Sequence, residues 1–181
     1  DVRTSHIPLV LLTAKTTTSE QIEGFDTGAD AYITKPFNLK LLQTQVANLI
    51  QSRKELYAQF SQDVYIMSNK LAKSEIDHMF LQKTIDFIIQ NLTDTRLNTE
   101  DLSNHHNMSH SNFYRKLKAL TGYTIIEFIR IVRLKQALTL MESKKYNLAE
   151  ISYITGFTSP SYFTNNFREY YGKPPSEYLN K

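Results

Sequence analysis

The chain contains no cysteine among its 181 residues, and it contains no long apolar run. Without thiols, neither a disulfide framework nor a thiolate metal site can form, and a reducing compartment is expected. The apolar runs fall well short of the roughly 20 residues that a membrane-spanning helix needs, and no signal peptide opens the sequence. We therefore expect a cytoplasmic segment that makes no membrane contact of its own.

Charge of one sign is also scarce. The formal net charge is +3, from 21 basic and 18 acidic residues. Mild basicity of this size is typical of a solvated surface and does not by itself indicate a nucleic-acid partner. The length is sufficient for two small domains, each with its own core. The placement of the charges therefore has to decide between classes of function.

The first 51 residues alternate in the manner of a parallel α/β unit. Residues 7–14 form a continuous apolar run, typical of a strand buried on both faces. A short helix is predicted over 20–27 and a second strand over 31–33. A longer helix follows, with Asn38 as its candidate N-cap. Its apolar residues recur every three to four positions and fit either a coiled-coil dimer or one helix packed on its own sheet.

Two runs of this segment, at 12–15 (LTAK) and 28–37 (GADAYITKPF), resemble the second half of a two-component receiver domain. Thr13 and Lys35 are placed at the carboxyl ends of neighbouring strands, where a hydroxyl and an ammonium could bind a phosphoryl group. The resemblance implies a cis bond before Pro36 and a role for Tyr32 as the switch aromatic. A half-buried strand tyrosine is the alternative for Tyr32.

The phosphoacceptor aspartate and the acidic magnesium ligands of that family belong to earlier strands. Only six residues precede Ile7, so Asp1 cannot supply the acceptor. We therefore expect Thr13, Tyr32 and Lys35 to be remnants of a site, and we expect no enzyme activity and no cofactor in this chain. A complete receiver domain would bind magnesium, and the full-length parent could be a histidine kinase.

The remaining sequence divides into a linker and a second domain. Residues 52–75 mix polar and isolated apolar residues without glycine or proline, which predicts a helical linker. From Ile76 an amphipathic helix is expected. Its apolar face is predicted to contain Met79, Phe80, Ile85, Ile88, Ile89 and Leu92. The predicted organisation is a partial receiver over 1–51, the linker over 52–75 and a further domain over 76–181.

An internal repeat with a period of about 50 residues organises the last domain. The repeated pairs are Leu102 and Ile151, Asn107 and Gly156, Met108 and Phe157, Ser109 and Ser159, Ser111 and Ser161, Phe113 and Phe163, Leu117 and Phe167, Gly122 and Gly172, and Glu127 and Glu177. Each copy predicts a short helix, a turn that tolerates positive φ, and a second helix capped by serine. This is the pattern of a helix-turn-helix unit, at about 97–120 and 147–171.

Between the copies, the pattern from Ile125 to Met141 predicts one continuous helix of roughly 25 Å. A helix of that length could hold two recognition helices near the roughly 34 Å that separates successive major-groove faces of DNA. The overall prediction is a mainly α fold, with two helix-turn-helix units joined by a long helix and preceded by a truncated α/β segment.

The second copy resembles the AraC/XylS family of transcription regulators. The matching runs are GFTSPSYF at 156–163, Phe167-Arg168, and GKPPSEY at 172–178. The resemblance covers about 76–181 and implies that each monomer places two helix-turn-helix units on adjacent major grooves. The first copy departs from the family by carrying Asn107 at the turn glycine and Ser103 at a usual alanine. Asparagine is the mildest replacement, because it tolerates the left-handed region.

Each recognition helix has a predicted core face and a predicted DNA face. In the first, Phe113, Leu117 and Leu120 are predicted core, which leaves His110, Ser111, Asn112, Tyr114, Arg115 and Lys118 for DNA. Arg115 and Asn112 are predicted to read base edges, because arginine suits guanine and asparagine suits adenine. Lys118 and Tyr114 are predicted to contact phosphates.

The second recognition helix offers a less charged surface. Phe163 and Phe167 are predicted core, which leaves Ser161, Tyr162, Thr164, Asn165 and Arg168 for DNA. Its readout is therefore expected to depend more on DNA shape. For every one of these residues the alternative is an ordinary solvated helix face.

Three histidines crowd the first turn: His105, His106 and His110. No acidic or thiolate partner lies at ligand spacing, so turn and surface histidines are predicted and no metal site is.

The combined pattern predicts a transcription regulator that binds double-stranded DNA at the output end of a two-component phosphorelay. The resemblances imply a hybrid sensor kinase, a parent anchored in the inner membrane, RNA polymerase as a partner, and control of carbohydrate-utilisation genes. A homodimer through the receiver remnant is expected around Phe25, Tyr32 and Leu42. The alternatives are a stand-alone AraC-type response regulator and a protein-interaction module without specific DNA binding.

Overall fold

The computed structural model describes residues 4–5, 7–14, 29–59 and 75–179. The chain divides into two compact units, Asp1–Asp63 and Val64–Lys181. The described elements are mainly helical with one small sheet, which confirms the predicted fold class. None of the described helices is both long and apolar enough to cross a membrane.

The first unit contains strands β1 (Val10–Thr13) and β2 (Ala31–Thr34) and helix α1 (Leu39–Gln59). The strands are parallel, as predicted, with Val10 opposite Ala31 and Thr13 opposite Thr34. Asn38 accepts a hydrogen bond from the Lys40 backbone N–H at 2.8 Å, which is the predicted capping role. The helix predicted over 20–27 and the dimer residue Phe25 lie outside the described residues.

The expectation that the first strand is buried on both faces is wrong. Ile33 of β2 is buried, but Leu12 of β1 is 41% exposed and Leu9 is 48% exposed. The described sheet has two strands, so β1 has a hydrogen-bonded neighbour on one side only among the described residues. A strand at the edge of a small sheet leaves apolar side chains accessible even when its sequence reads as core.

The second unit is all α. Its helices are α2 (Glu75–Gln90), α3 (Thr99–His105), α4 (His110–Thr121), α5 (Ile125–Glu142), α6 (Leu148–Ile154), α7 (Pro160–Tyr171) and α8 (Pro175–Leu179). Helices α3 and α4 form the first helix-turn-helix unit, α6 and α7 form the second, and α5 connects them. Pro160 occupies the first turn of α7, where a missing N–H leaves no intrahelical bond unmade.

Side-chain caps fix where these helices begin. Asn98, Thr124 and Asn147 each form a reciprocal capping box with the acidic residue three positions later. Ser109 and Ser159 cap the two recognition helices, as the repeat predicted. Each cap satisfies backbone N–H groups that a helix start leaves without partners, which stabilises the fold by about 1 kcal/mol per cap.

The core of the second unit follows the predicted helical spacing. Phe113, Leu117 and Leu120 of α4 are fully buried, and so are Phe163 and Phe167 of α7. A second cluster forms around Leu134, Ala137, Met141, Ile151, Phe157, Phe163 and Phe167. On α2 the inclusion of Met79 was wrong, because its side chain is 65% exposed. The buried face of that helix instead contains Asp77, Phe80, Leu81, Thr84, Ile85 and Ile88.

The two turns differ in how much space they leave. Asn107 has φ of 51° and Gly156 has φ of 73°, so both turns use the left-handed region as predicted. A Cβ at Gly156 would meet the Leu92 carbonyl oxygen and lie 2.9 Å from Cζ of Arg133. Glycine is therefore required there by close packing as well as by φ. At Ser103, the other departure in the first copy, the buried hydroxyl donates to the Glu100 carbonyl at 3.0 Å.

We predict that Gly156→Ala destabilises the second unit far more than Gly172→Ala. Gly172 also has positive φ, at 77°, but a Cβ there would meet nothing within 4 Å. Gly172→Ala should therefore cost only about 1 kcal/mol for the left-handed conformation. Gly156→Ala adds a clash with backbone and should cost at least about 3 kcal/mol. Denaturant unfolding of both variants measures the difference, and equal midpoints would contradict the crowding.

Candidate nucleic-acid interface

The first recognition helix, α4, presents the polar face that the sequence predicted. His110, Ser111, Tyr114, Arg115 and Lys118 are exposed, and Asn112 is half-buried. Ser109 accepts from the Asn112 backbone N–H at 3.4 Å and so starts the helix one residue before this face. The buried side chains of α4 lie on the other side. The predicted residues therefore share one solvent-facing surface.

Two of those residues are hydrogen-bonded to each other. A guanidinium N–H of Arg115 donates to the side-chain oxygen of Asn112 at 2.6 Å. Residues three apart on a helix lie on the same face, which allows this contact. The bond uses one of the two lone pairs of the Asn112 oxygen and holds the guanidinium beside Asn112. The prediction from sequence was two separate base readers, and the structure shows that the two side chains form a pair.

Lys116 is a cation for which no role was predicted from the sequence. Its side chain is fully buried, and its ammonium donates to the carboxylate of Asp77 on α2 at 2.6 Å. The same ammonium lies 4.9 Å from the ring centre of Phe80. A buried ion pair needs such close geometry to offset desolvation. Lys116 therefore ties the recognition helix to α2. Its place between Phe113 and Leu120 at helical spacing was the available signal.

The second recognition helix, α7, exposes Ser161, Tyr162, Asn165 and Arg168, and half-buries Thr164. Asn166, which was not predicted, is buried. Its amide N–H donates to the Tyr162 carbonyl at 2.7 Å, and its oxygen accepts from Arg130 of α5 at 3.1 Å. Arg130 also lies 3.7 Å from the Glu169 carboxylate. These contacts fasten α7 to the connecting helix.

The His106 side chain packs against two phenylalanine rings at the first turn. Its ring lies 4.7 Å from that of Phe80 and 5.2 Å from that of Phe113. The Thr84 hydroxyl donates to the Phe80 carbonyl at 2.7 Å, so it accepts from Nε2–H of His106 at 3.0 Å. His106 lies in the turn, as predicted, and its side chain is half-buried. Burial, with smaller effects from Lys83, His105 and Lys116, lowers its pKa to about 4.

Comparison with known proteins agrees with this geometry. A family described as "Helix-turn-helix domain" matches residues 102–181. A transcriptional regulator from Chromobacterium violaceum, titled as having an AraC-type DNA-binding domain, superposes with a TM-score of 0.53 at 20% identity, over 56% of this chain and 90% of that one. The DNA-binding domain of AdpA, solved with a target DNA, superposes with a TM-score of 0.50 at 26% identity, over 55% and 88%. Residues 102–181 therefore match a helix-turn-helix family, and the second unit shares the fold of these two DNA-binding domains.

Two curated relatives extend the likeness beyond the helix-turn-helix region. "Histidine kinase P4" of Formosa agariphila is 37% identical over all 181 residues, which cover 13% of that protein. "Transcriptional regulatory protein HptR" of Staphylococcus aureus is 27% identical over 153 residues, which are 83% of this chain and 60% of that protein. The chain thus spans only part of either relative.

The first unit places the predicted receiver residues at one end of its sheet. Thr13 ends β1 and Lys35 follows β2 directly, and the Lys35 backbone N–H donates to the Thr13 carbonyl at 2.6 Å. The bond between Lys35 and Pro36 is cis, as the receiver resemblance implied. Tyr32 is half-buried within β2, and the Lys35 side chain is exposed.

We predict that Lys116→Met severely destabilises the second unit. Removing one partner of a buried ion pair strands the other charge, so the loss should be about 3–5 kcal/mol. Adding Asp77→Leu should recover most of that loss, because no buried charge then remains at this contact. Lys118→Met, at an exposed position of the same helix, is the matched control and should change stability by less than about 0.5 kcal/mol. Failure of the double variant to recover would refute the pairing as the cause.

We also predict a histidine-dependent loss of stability in mild acid. The pKa of His106 is about 4 when folded and near its ordinary value of 6.5 when unfolded, so the unfolded chain binds the proton first. The contribution of neutral His106 is complete above pH 6.5 and declines as pH falls from 6.5 toward 4. The Tm of the unmodified chain should therefore drop several degrees more between pH 7 and pH 5 than that of His106→Gln.

His110→Gln provides the matched control for this pH dependence, since His110 is exposed at the start of α4. Its melting profile should follow the unmodified chain. If His106→Gln kept the full acid-induced decrease, the half-buried imidazole of His106 would not be its source.

Proposed function

We propose that the chain is a sequence-specific regulator of transcription that inserts α4 and α7 into successive major grooves of double-stranded DNA. The observation that carries this proposal is that each recognition helix buries one face in the core and leaves a polar face bare. The connecting helix α5 has 18 residues, about 27 Å at 1.5 Å per residue. That length is compatible with the roughly 34 Å between groove faces.

Within α4 we assign base reading to Arg115 and orientation of its guanidinium to Asn112. Adenine readout needs both the amide oxygen and the amide N–H of asparagine. The Asn112 oxygen already accepts from Arg115 at 2.6 Å, which favours a supporting role over independent readout. His110, Ser111, Tyr114 and Lys118 are then assigned to the flanking backbone, where hydroxyl and cationic groups position a helix without reading sequence.

The exposed face of α7 has fewer charged residues with which to contact DNA. Tyr162 is 52% exposed and sits one turn before Asn166, whose amide holds the Tyr162 carbonyl. We assign Arg168 to phosphate and Ser161, Tyr162, Thr164 and Asn165 to the groove floor and walls. Because this face carries one cation, its preference should come partly from DNA shape.

The wider role is the output end of a two-component phosphorelay. The pattern of Thr13, Tyr32 and Lys35 and the relative described as a histidine kinase support this assignment. We propose a hybrid sensor kinase as the parent, anchored in the inner membrane, with the DNA-binding end in the cytoplasm. RNA polymerase contact, carbohydrate-utilisation genes as targets, and a homodimer through the first unit complete the proposal. Exposed Leu39 and Val46 on α1 are available to such a dimer.

We predict that Arg115→Ala and Lys118→Ala weaken DNA binding in different ways. Arg115→Ala should lose about 1–3 kcal/mol on the preferred duplex and flatten preference at one base pair. Lys118→Ala should weaken all duplexes alike and reduce the salt slope by about one unit. Asn112→Ala should reproduce part of the Arg115→Ala loss, and the double variant should lose little more than Arg115→Ala alone.

The measurement is a titration of each variant on a selected operator and on a scrambled duplex at two salt concentrations. None of the three side chains belongs to the buried face of α4, so Tm should barely move. Equal loss by Arg115→Ala on both duplexes would exclude base reading by Arg115. Absence of salt-dependent duplex binding by the unmodified chain would instead favour a protein-interaction module.

A further inference from the structure

The two helix-turn-helix units meet at a junction that does not depend on chain connectivity. Arg133 of α5 reaches the loop before the first unit, where its Nη2 donates to the Asp94 carbonyl at 2.5 Å. The same guanidinium also packs against Gly156 in the turn of the second helix-turn-helix unit. The two groups are so close that a Cβ added at Gly156 would lie 3.0 Å from Nε of Arg133. One side chain therefore contacts both units.

Backbone closes this junction from the other side. The Leu92 carbonyl, in the same loop as Asp94, is so near Gly156 that a Cβ there would collide with it. The junction thus consists of the Leu92 and Asp94 carbonyls, the Arg133 guanidinium and the glycine of the second turn. Backbone contacts of this kind allow only small shifts, because dense packing resists deformation.

Beside the junction, an open cleft of about 400 Å³ separates the two helix-turn-helix units. Its walls include Leu97 from the first helix-turn-helix unit, Ile126 and Ile129 from α5, and Phe157 and Tyr162 from the second helix-turn-helix unit. Side chains do not fill this cleft. The loop that contains Asp94 and the turn that contains Gly156 therefore contact each other mainly at the junction. Removing the Arg133 side chain would enlarge the gap on both sides at once.

We propose that Arg133 is a positioning residue that sets the distance and rotation between the two recognition helices, and so selects the spacing between operator half-sites. The inference rests on the proposed DNA-binding function. Each inserted base pair moves a half-site by about 3.4 Å and turns it by roughly 36°. A rigid junction cannot follow such a change, whereas a loosened one can follow part of it at the expense of affinity for the native spacing.

The test begins with bipartite duplexes selected from a random library by the full chain. One base pair is then inserted or removed between the half-sites, and the ratio of affinities for native and altered spacing is measured. We expect the unmodified chain to lose at least tenfold on altered spacing and Arg133→Ala to lose threefold or less. A direct phosphate contact by Arg133 would lower both affinities together and leave the ratio unchanged.

Arg96→Ala is the matched control, because it removes one positive charge from the loop that Arg133 contacts. The Arg96 side chain is 92% exposed and lies 3.7 Å from the Asp94 carboxylate, whereas Arg133 binds the Asp94 carbonyl. Arg96→Ala should keep the unmodified ratio. Arg133→Lys, which retains a cationic donor, should restore part of the spacing penalty. On a duplex with only the half-site of α4, Arg133→Ala and the unmodified chain should bind equally.

The outcomes separate the two levels of the proposal. An unchanged spacing ratio in Arg133→Ala would overturn the role of Arg133 while leaving DNA binding intact. If Arg133→Ala does not fold, Arg133→Lys and Arg133→Gln decide by the same ratio, and the unmodified ratio in both would overturn it. A chain that selects no duplex from the library would remove the proposed function itself.

Discussion

The burial of α5 on nearly all sides is the constraint on which the second unit depends. Its buried residues are Ile125, Phe128, Ile129, Ile131, Val132, Leu134, Ala137 and Met141. A helix with apolar residues around its circumference is stable only when other elements cover it. Helices α2, α4, α6, α7 and α8 all pack against α5. One helix, α5, therefore fixes the positions of both recognition helices. Neither helix-turn-helix unit has a core that is independent of α5.

Polar contacts inside this core decide how the recognition helices are oriented. Lys116 with Asp77 joins α4 to α2, and His106 with Thr84 joins the first turn to α2. Asn166 with Arg130 joins α7 to α5. Apolar packing tolerates small rotations of a helix, whereas a hydrogen bond between two side chains loses strength quickly when its geometry changes. These contacts therefore add direction to a core whose stability comes from apolar burial.

The same division explains why the exposed faces can differ between the two copies. The buried residues of each helix-turn-helix unit pack against neighbours on α5, so large apolar residues recur at equivalent places, as in the pairs of Phe113 with Phe163 and Leu117 with Phe167. The outward residues satisfy only solvent in the free protein, and α4 carries Arg115 and Lys118 where α7 carries mainly uncharged groups. Two copies of one structural unit can thus present surfaces of different charge without a change of fold.

The order of the helices, their caps, the left-handed turns and the apolar face of each recognition helix could be predicted from the sequence, because they follow from residue spacing and local backbone chemistry. The sequence also indicated the carboxyl-end positions of Thr13 and Lys35. Tertiary packing brings Lys116 to Asp77 and Arg133 to the Asp94 carbonyl and Gly156. Lys116 and Asp77 are 39 residues apart, and so are Arg133 and Asp94, so no local pattern in the sequence records these contacts.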